Sequence, residues 1–117
     1  MSPMHEMSLT EGVVRILEDQ AAEHGFTRVK TVWLEIGELS TVVPESMEFC
    51  FDAVARGNPL TEGAKLEIIR VPGTAWCMDC SKSVHVTSRV DLCPDCGGAK
   101  LAVTTGEEMR IKEMEVE

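Results

Sequence analysis

The chain has 117 residues and a formal net charge of −9, with 44% hydrophobic and 26% charged residues. That length suits one domain, or one small domain with a metal-held lobe. An acidic chain with 4% aromatic residues and no tyrosine is repelled by phosphate backbones and lacks stacking platforms, which argues against nucleic-acid binding. No apolar run approaches the roughly 20 residues that a membrane helix needs.

The first predicted element is a helix. Leu9, Val13, Ile16, Leu17 and Ala21 recur at spacings of three and four, the stripe of an amphipathic helix. Ser8 and Glu11 fit a capping box, and Met4 and Met7 allow a start one turn earlier, near Glu6. Gly25 is the expected stop. A strand follows over 29–37, with Val32, Leu34 and Ile36 on one face and Trp33 and Glu35 on the other. Pro44 opens a second helix lined by Met47, Cys50, Phe51 and Val54 and ended by Gly57. Residues 64–71 alternate again, with Leu66 and Ile68 on one face.

Two Cys-x-x-Cys pairs come next, Cys77/Cys80 and Cys93/Cys96, with twelve residues between them. Four thiolates on two tight turns suit a closed tetrahedral site for a soft metal ion, most often structural zinc. The same ligand set accepts iron, as in a rubredoxin-like carrier, and the spacing does not separate the two metals. Two disulfides are the competing reading. They need an oxidising compartment, and the first residues show no basic segment followed by an apolar one, so a cytoplasmic location is expected. Pro94, Gly97 and Gly98 supply turn chemistry. Trp76 is expected to pack on the lobe, and 81–92 offers little core beyond Val84, Val86 and Val90, so the metal is expected to make the lobe fold.

A last strand is expected over 108–116. Met109 and Ile111 share a parity that Met114 and Val116 break, which predicts a bulge near Lys112-Glu113. The fold class expected is therefore α+β: a small sheet of about three strands with two helices on one face, plus an inserted four-cysteine, zinc-ribbon-like lobe. The domain boundaries expected are 1–72 with 104–117, and 73–103. An edge strand beside an inserted lobe would permit strand exchange in a homodimer. Closed four-cysteine coordination and the lack of a nucleophile–base set or a phosphate-binding loop argue against an enzyme. His85, His24, Cys50 and the acidic tail (Glu107, Glu108, Glu113, Glu115, Glu117) read as structural or solvated.

Met4-His5-Glu6 offers an imidazole, neighbouring amides and a carboxylate, a set that suits Ni, Cu or Zn. Together with Val32-Trp33-Leu34-Glu35-Ile36-Gly37, Phe49-Cys50-Phe51-Asp52, Trp76 before the first Cys pair, Cys93-Pro94-Asp95-Cys96-Gly97 and Arg110-Ile111-Lys112, it resembles the HypA/HybF family of hydrogenase nickel-incorporation proteins over 4–116. The resemblance implies a two-site metallochaperone. Zinc would be structural at Cys77, Cys80, Cys93 and Cys96. Nickel would be transient cargo at His5, helped by Glu6. The partners implied are a nickel-handling GTPase, the hydrogenase large-subunit precursor and, in some members, urease maturation. The alternative is a zinc-ribbon protein–protein adaptor with no second metal. The chain departs from the family at its start, where Met1-Ser2-Pro3 precedes the motif. Pro3 has no N–H to deprotonate, so a continuous chelate from amine to His5 is interrupted, and trimming to Met4 is expected to tighten nickel binding.

Overall fold

The computed structural model describes residues 3–117, with side chains from His5 onward. The elements in chain order are α1 (Pro3–His24), β1 (Val29–Gly37), α2 (Pro44–Ala55), β2 (Lys65–Val71), β3 (Thr74–Cys77), β4 (Lys82–His85), β5 (Leu101–Thr105) and β6 (Met109–Val116). They form two sheets of three strands each, ordered β2-β1-β6 and β4-β3-β5. The α+β class read from the sequence holds.

The chain divides into two compact units. One holds the chain up to Leu34, Thr41–Ile68 and Ile111–Glu117, and the other holds Glu35–Ser40 and Ile69–Arg110. The division cuts through β1, β2 and β6 rather than falling in loops.

In the first unit α1 packs against α2. The buried stripe of α1 is Glu6, Thr10, Val13, Val14 and Leu17, whereas Ile16 is 49% exposed. The helix is thus rotated from the expected stripe, because two of its buried positions are polar and apolar periodicity alone passes over them. Thr10 satisfies its hydroxyl by donating to the Met7 carbonyl at 2.8 Å. The helix begins at Pro3, a first-turn position that proline tolerates, so Ser8 and Glu11 lie inside it and the capping box is not formed. Gly25 ends it at φ +77, with its N–H donating to the Ala21 carbonyl. Helix α2 has Pro44 in its first turn and buries Met47, Cys50, Phe51 and Ala55. Val54 is half-buried and Phe49 is 75% exposed. On β1, Val32 and Leu34 are fully buried and Trp33 is half-buried, as the alternation predicts. Thr27 and Arg28 donate main-chain N–H groups to the Glu117 carbonyl.

The second unit has its own core: Leu39, Ala75, Cys77, Val84, Val86 and Cys93, with Cys80, Leu101 and Val103 against it. Strand β3 is central. It pairs antiparallel with β4 in the register Ala75↔Val84 and Cys77↔Lys82, and with β5 in the register Ala75↔Val103 and Cys77↔Leu101. Paired residues share a face, so the apolar positions of all three strands meet on one side. Trp76 falls on the other side, between Ser83 and Ala102, and is 43% exposed, so it lies on the outer face of the lobe's sheet and adds nothing to its core. Val90 is 87% exposed and adds nothing to the core. Three glycines allow the backbone crossing beside this sheet: a Cβ on Gly37 would stand 2.0 Å from the Gly106 carbonyl oxygen, and one on Gly106 (φ +96) would stand 2.6 Å from the Gly73 Cα.

On β6, Met109, Ile111 and Met114 are half-buried while Lys112 and Glu113 are exposed, so burial changes parity where the bulge was expected. Val116 stays 38% exposed.

Candidate metal centres

The four cysteines of the two pairs come together. Their sulfurs all lie within 4.8 Å of one another. Cys77 Sγ is 3.7 Å from Cys96 Sγ, and Cys80 Sγ is 3.8 Å from Cys93 Sγ. A tetrahedron with metal–sulfur bonds of about 2.3 Å has edges of roughly 3.8 Å, so this donor set fits one tetrahedral zinc-sized ion. Both separations also far exceed the roughly 2.05 Å of a disulfide, so Cys77, Cys80, Cys93 and Cys96 are not bridged in pairs.

The two turns are built alike. In the first, the Ser81 N–H donates to the Cys77 carbonyl at 2.8 Å. In the second, the Gly97 N–H donates to the Cys93 carbonyl at the same 2.8 Å. The residue after each pair takes positive φ, +55° at Ser81 and +73° at Gly97. A left-handed residue at that point turns the chain away and leaves both sulfurs aimed inward. Main-chain N–H groups reach the sulfurs, Cys80 to Cys77 Sγ and Gly98 to Cys96 Sγ, each at 3.4 Å. Exposure is uneven: Cys77 and Cys93 are buried, Cys80 is half-buried and Cys96 is exposed.

Without a metal, the four thiols compete for charge. Burial raises the Cys93 thiol, but N–H groups of Cys96 and Asp95 outweigh it and bring it down to about 7. The hydrogen bond with Cys96, with burial and the neighbouring sulfurs, then pushes Cys80 far above the ordinary thiol range. One thiolate is easy to form and the next is opposed by it, which is the condition a divalent cation relieves.

His85 does not join the sulfurs. Its Nε2 meets Glu38 Oε1 at 2.9 Å, and that bond, with the Gly73 N–H, holds the Glu38 carboxyl below its ordinary value. His24 is exposed in the last turn of α1, and Cys50 is buried on α2.

The second constellation is at the start of α1. His5 is exposed, with 47% of its side chain accessible, and Glu6 is 1% exposed. His5 Nδ1 and Glu6 Oε2 are 3.4 Å apart. The other carboxyl oxygen, Glu6 Oε1, is buried without a hydrogen-bond partner among the described residues. Both residues sit in the first helical turn, where main-chain N–H groups lack intrahelical acceptors. The expectation about the terminal amine concerns Met1 and Ser2, which lie outside the described residues. The residue order points to both His5 and Glu6, but its apolar pattern does not mark Glu6 as buried.

Residues 4–116 match the family model described as hydrogenase/urease nickel incorporation, metallochaperone, hypA. The chain belongs to the HypA family. It is 58% identical over 114 residues to the hydrogenase maturation factor HypA of Azotobacter chroococcum, covering 97% of this chain and 100% of the relative. It is 55% identical, with the same coverage, to that of Azotobacter vinelandii. In fold it is similar to the solution structure of the nickel metallochaperone HypA from Helicobacter pylori, with a TM-score of 0.69 at 22% identity, covering 95% of this chain and 96% of that one. A second HypA solution structure gives a TM-score of 0.72 at 24% identity, covering 97% and 96%. This is a family of hydrogenase and urease nickel-incorporation metallochaperones, and no helix among the described residues is long and apolar enough to cross a membrane.

Proposed function

We propose that this HypA-family chain carries nickel, in the cytoplasm, to the [NiFe] hydrogenase large-subunit precursor, in concert with a nickel-handling GTPase. In this reading His5 is the nickel ligand and Glu6 its carboxylate helper. Residues 1–72 with 104–117 form the nickel-handling domain, and 73–103 form the zinc domain. The chain itself does no nucleotide chemistry.

The observation that carries the reading is the pairing of an exposed imidazole with a buried carboxyl that has an oxygen unpartnered among the described residues. A buried carboxyl without a partner costs free energy, and a protein retains such a group where something else satisfies it. Nickel(II) suits the donors: imidazole nitrogen, carboxylate oxygen and the amides of the first turn. An imidazole that reaches solvent lets cargo arrive and leave, as a carrier requires.

Cys77, Cys80, Cys93 and Cys96 would hold zinc, which supplies cross-linking of the two turns and no open coordination position. The second unit then has a metal-fixed end, while the nickel residues lie on α1.

The test is a calorimetric nickel titration of zinc-loaded protein, wild type against His5→Ala, with hydrogenase maturation as the second readout. The wild type is expected to bind one nickel reversibly. His5→Ala is expected to lose that binding and the maturation activity while keeping its circular dichroism. Nickel bound equally by both proteins rejects the carrier reading. Absence of a second metal in the wild type favours the zinc-ribbon adaptor.

A further inference from the structure

The four-cysteine site has an ionic tie that the ligands themselves do not supply. Cys77 and Lys82 are directly paired across β3 and β4, so the Lys82 side chain leaves the sheet on the face where the sulfurs converge. Its Nζ reaches Asp95 Oδ2 at 2.6 Å. Asp95 lies between Cys93 and Cys96, in the opposite turn. The bridge therefore joins the two halves of the tetrahedron from outside. It bears on charge as well as on position, since the ammonium is within electrostatic reach of the Cys80 and Cys93 sulfurs. Four thiolates around a divalent ion carry a net charge of about −2, which a neighbouring cation stabilises.

The turn that Asp95 belongs to carries the most exposed of the four sulfurs. Cys96 is the exposed ligand, while Cys77 and Cys93 are buried. A competing chelator must displace a ligand it can reach, and Cys96 is the most accessible of the four. We propose that the Lys82–Asp95 ion pair is a latch on the second turn that sets how slowly the site gives up its ion. Lys82 and Asp95 act as positioning residues, not ligands. The proposal rests on the reading of the four cysteines as a zinc site.

The geometry accounts for a kinetic role better than for a folding role. Both side chains are about half exposed, 54% for Lys82 and 50% for Asp95, and an ion pair in that setting adds little to global stability. Loss of a ligand from a closed site, by contrast, needs only the second turn to swing out, and the pair opposes that motion directly.

The experiment uses the full-length zinc-loaded protein, excess EDTA and a chromogenic zinc indicator. Zinc content of the wild type is measured first. A wild type that holds no zinc at the four cysteines overturns the site reading and the latch with it. With zinc in place, Lys82→Met and Asp95→Asn are each expected to speed release about threefold to fivefold at low salt, in line with a half-exposed ion pair. The double variant is expected to release no faster than the faster single, because both remove one interaction. Lys82→Arg is expected to stay within about twofold of wild type, and about 0.5 M salt is expected to narrow the gap between wild type and Lys82→Met. Zinc-loaded single variants that release at the wild-type rate overturn the latch alone, as do single effects that multiply in the double variant.

Discussion

Replacing Glu6 by methionine should make the nickel-free protein more stable and nickel-blind at once. The Glu6 side chain is 1% exposed, and among the described residues one oxygen has no partner and the other meets His5 Nδ1 at 3.4 Å. An unsatisfied buried polar group costs about 1–3 kcal/mol. Methionine keeps the length and apolar stem of the side chain and removes both oxygens, so most of that cost should be recovered. Each kcal/mol is worth roughly 4–8 °C in Tm for a unit of this size. The assay is thermal unfolding by helical circular dichroism, to which α1 contributes 22 residues and α2 only 12. Wild type and Glu6→Met are compared zinc-loaded, with and without nickel. Nickel at about a hundred times its Kd should raise wild-type stability by about 2.7 kcal/mol and leave the variant unmoved. A variant that melts below wild type in nickel-free buffer refutes the claim that the carboxyl is kept at a cost. Equal nickel stabilisation of both proteins refutes its part in holding the ion.

Zinc affinity should fall as pH falls, because protons and zinc compete for the same sulfurs. Cys80 in the metal-free cluster keeps its proton far above the ordinary thiol value of 9.0, so zinc must displace that proton at any neutral pH. Below about 7 the Cys93 proton joins the competition, so the slope should steepen there; chelator-competition titrations across that range measure it, and a pH-independent affinity rejects the picture. Gly98→Ala should loosen the site, since its Cβ would stand 2.5 Å from Asp79 Oδ2 and 3.3 Å from Cys96 Sγ. Adding Asp79→Ala should restore zinc retention in part, as read by zinc release to EDTA. Gly106→Ala should destabilise the fold, as read by thermal unfolding, by more than the roughly 1–2 kcal/mol of a left-handed residue alone, because the new Cβ also meets the Gly73 backbone. Gly25→Ala, at φ +77 with nothing within 4 Å, is the control and should cost less.

Much of the fold is legible in residue order. Proline and glycine mark the ends of α2, and period-two alternation places β1, β2 and β6. The lobe strands carry the same signal: Val84 and Val86 alternate with Ser83 and His85, and Leu101 and Val103 with Ala102 and Thr104. That signal is weak, because β3 and β4 are only four residues long and lie beside cysteines, where a short alternation reads as loop. The stripe of α1 escapes periodicity because periodicity weighs apolar residues, and here Glu6 and Thr10 are buried while Ile16 faces out.

The sequence by itself determined which donor atoms the chain offers. Thiol spacing and an early His-Glu pair are chemical facts that no packing arrangement changes. Only the tertiary structure decided how those atoms are held, since burial and charge pairing depend on residues distant in the chain. Leu39, far from the cysteines in sequence, fills the core beneath Cys77 and Cys93, and Lys82 meets Asp95 across the two turns. The same applies to Glu6, whose burial the apolar pattern of α1 does not mark.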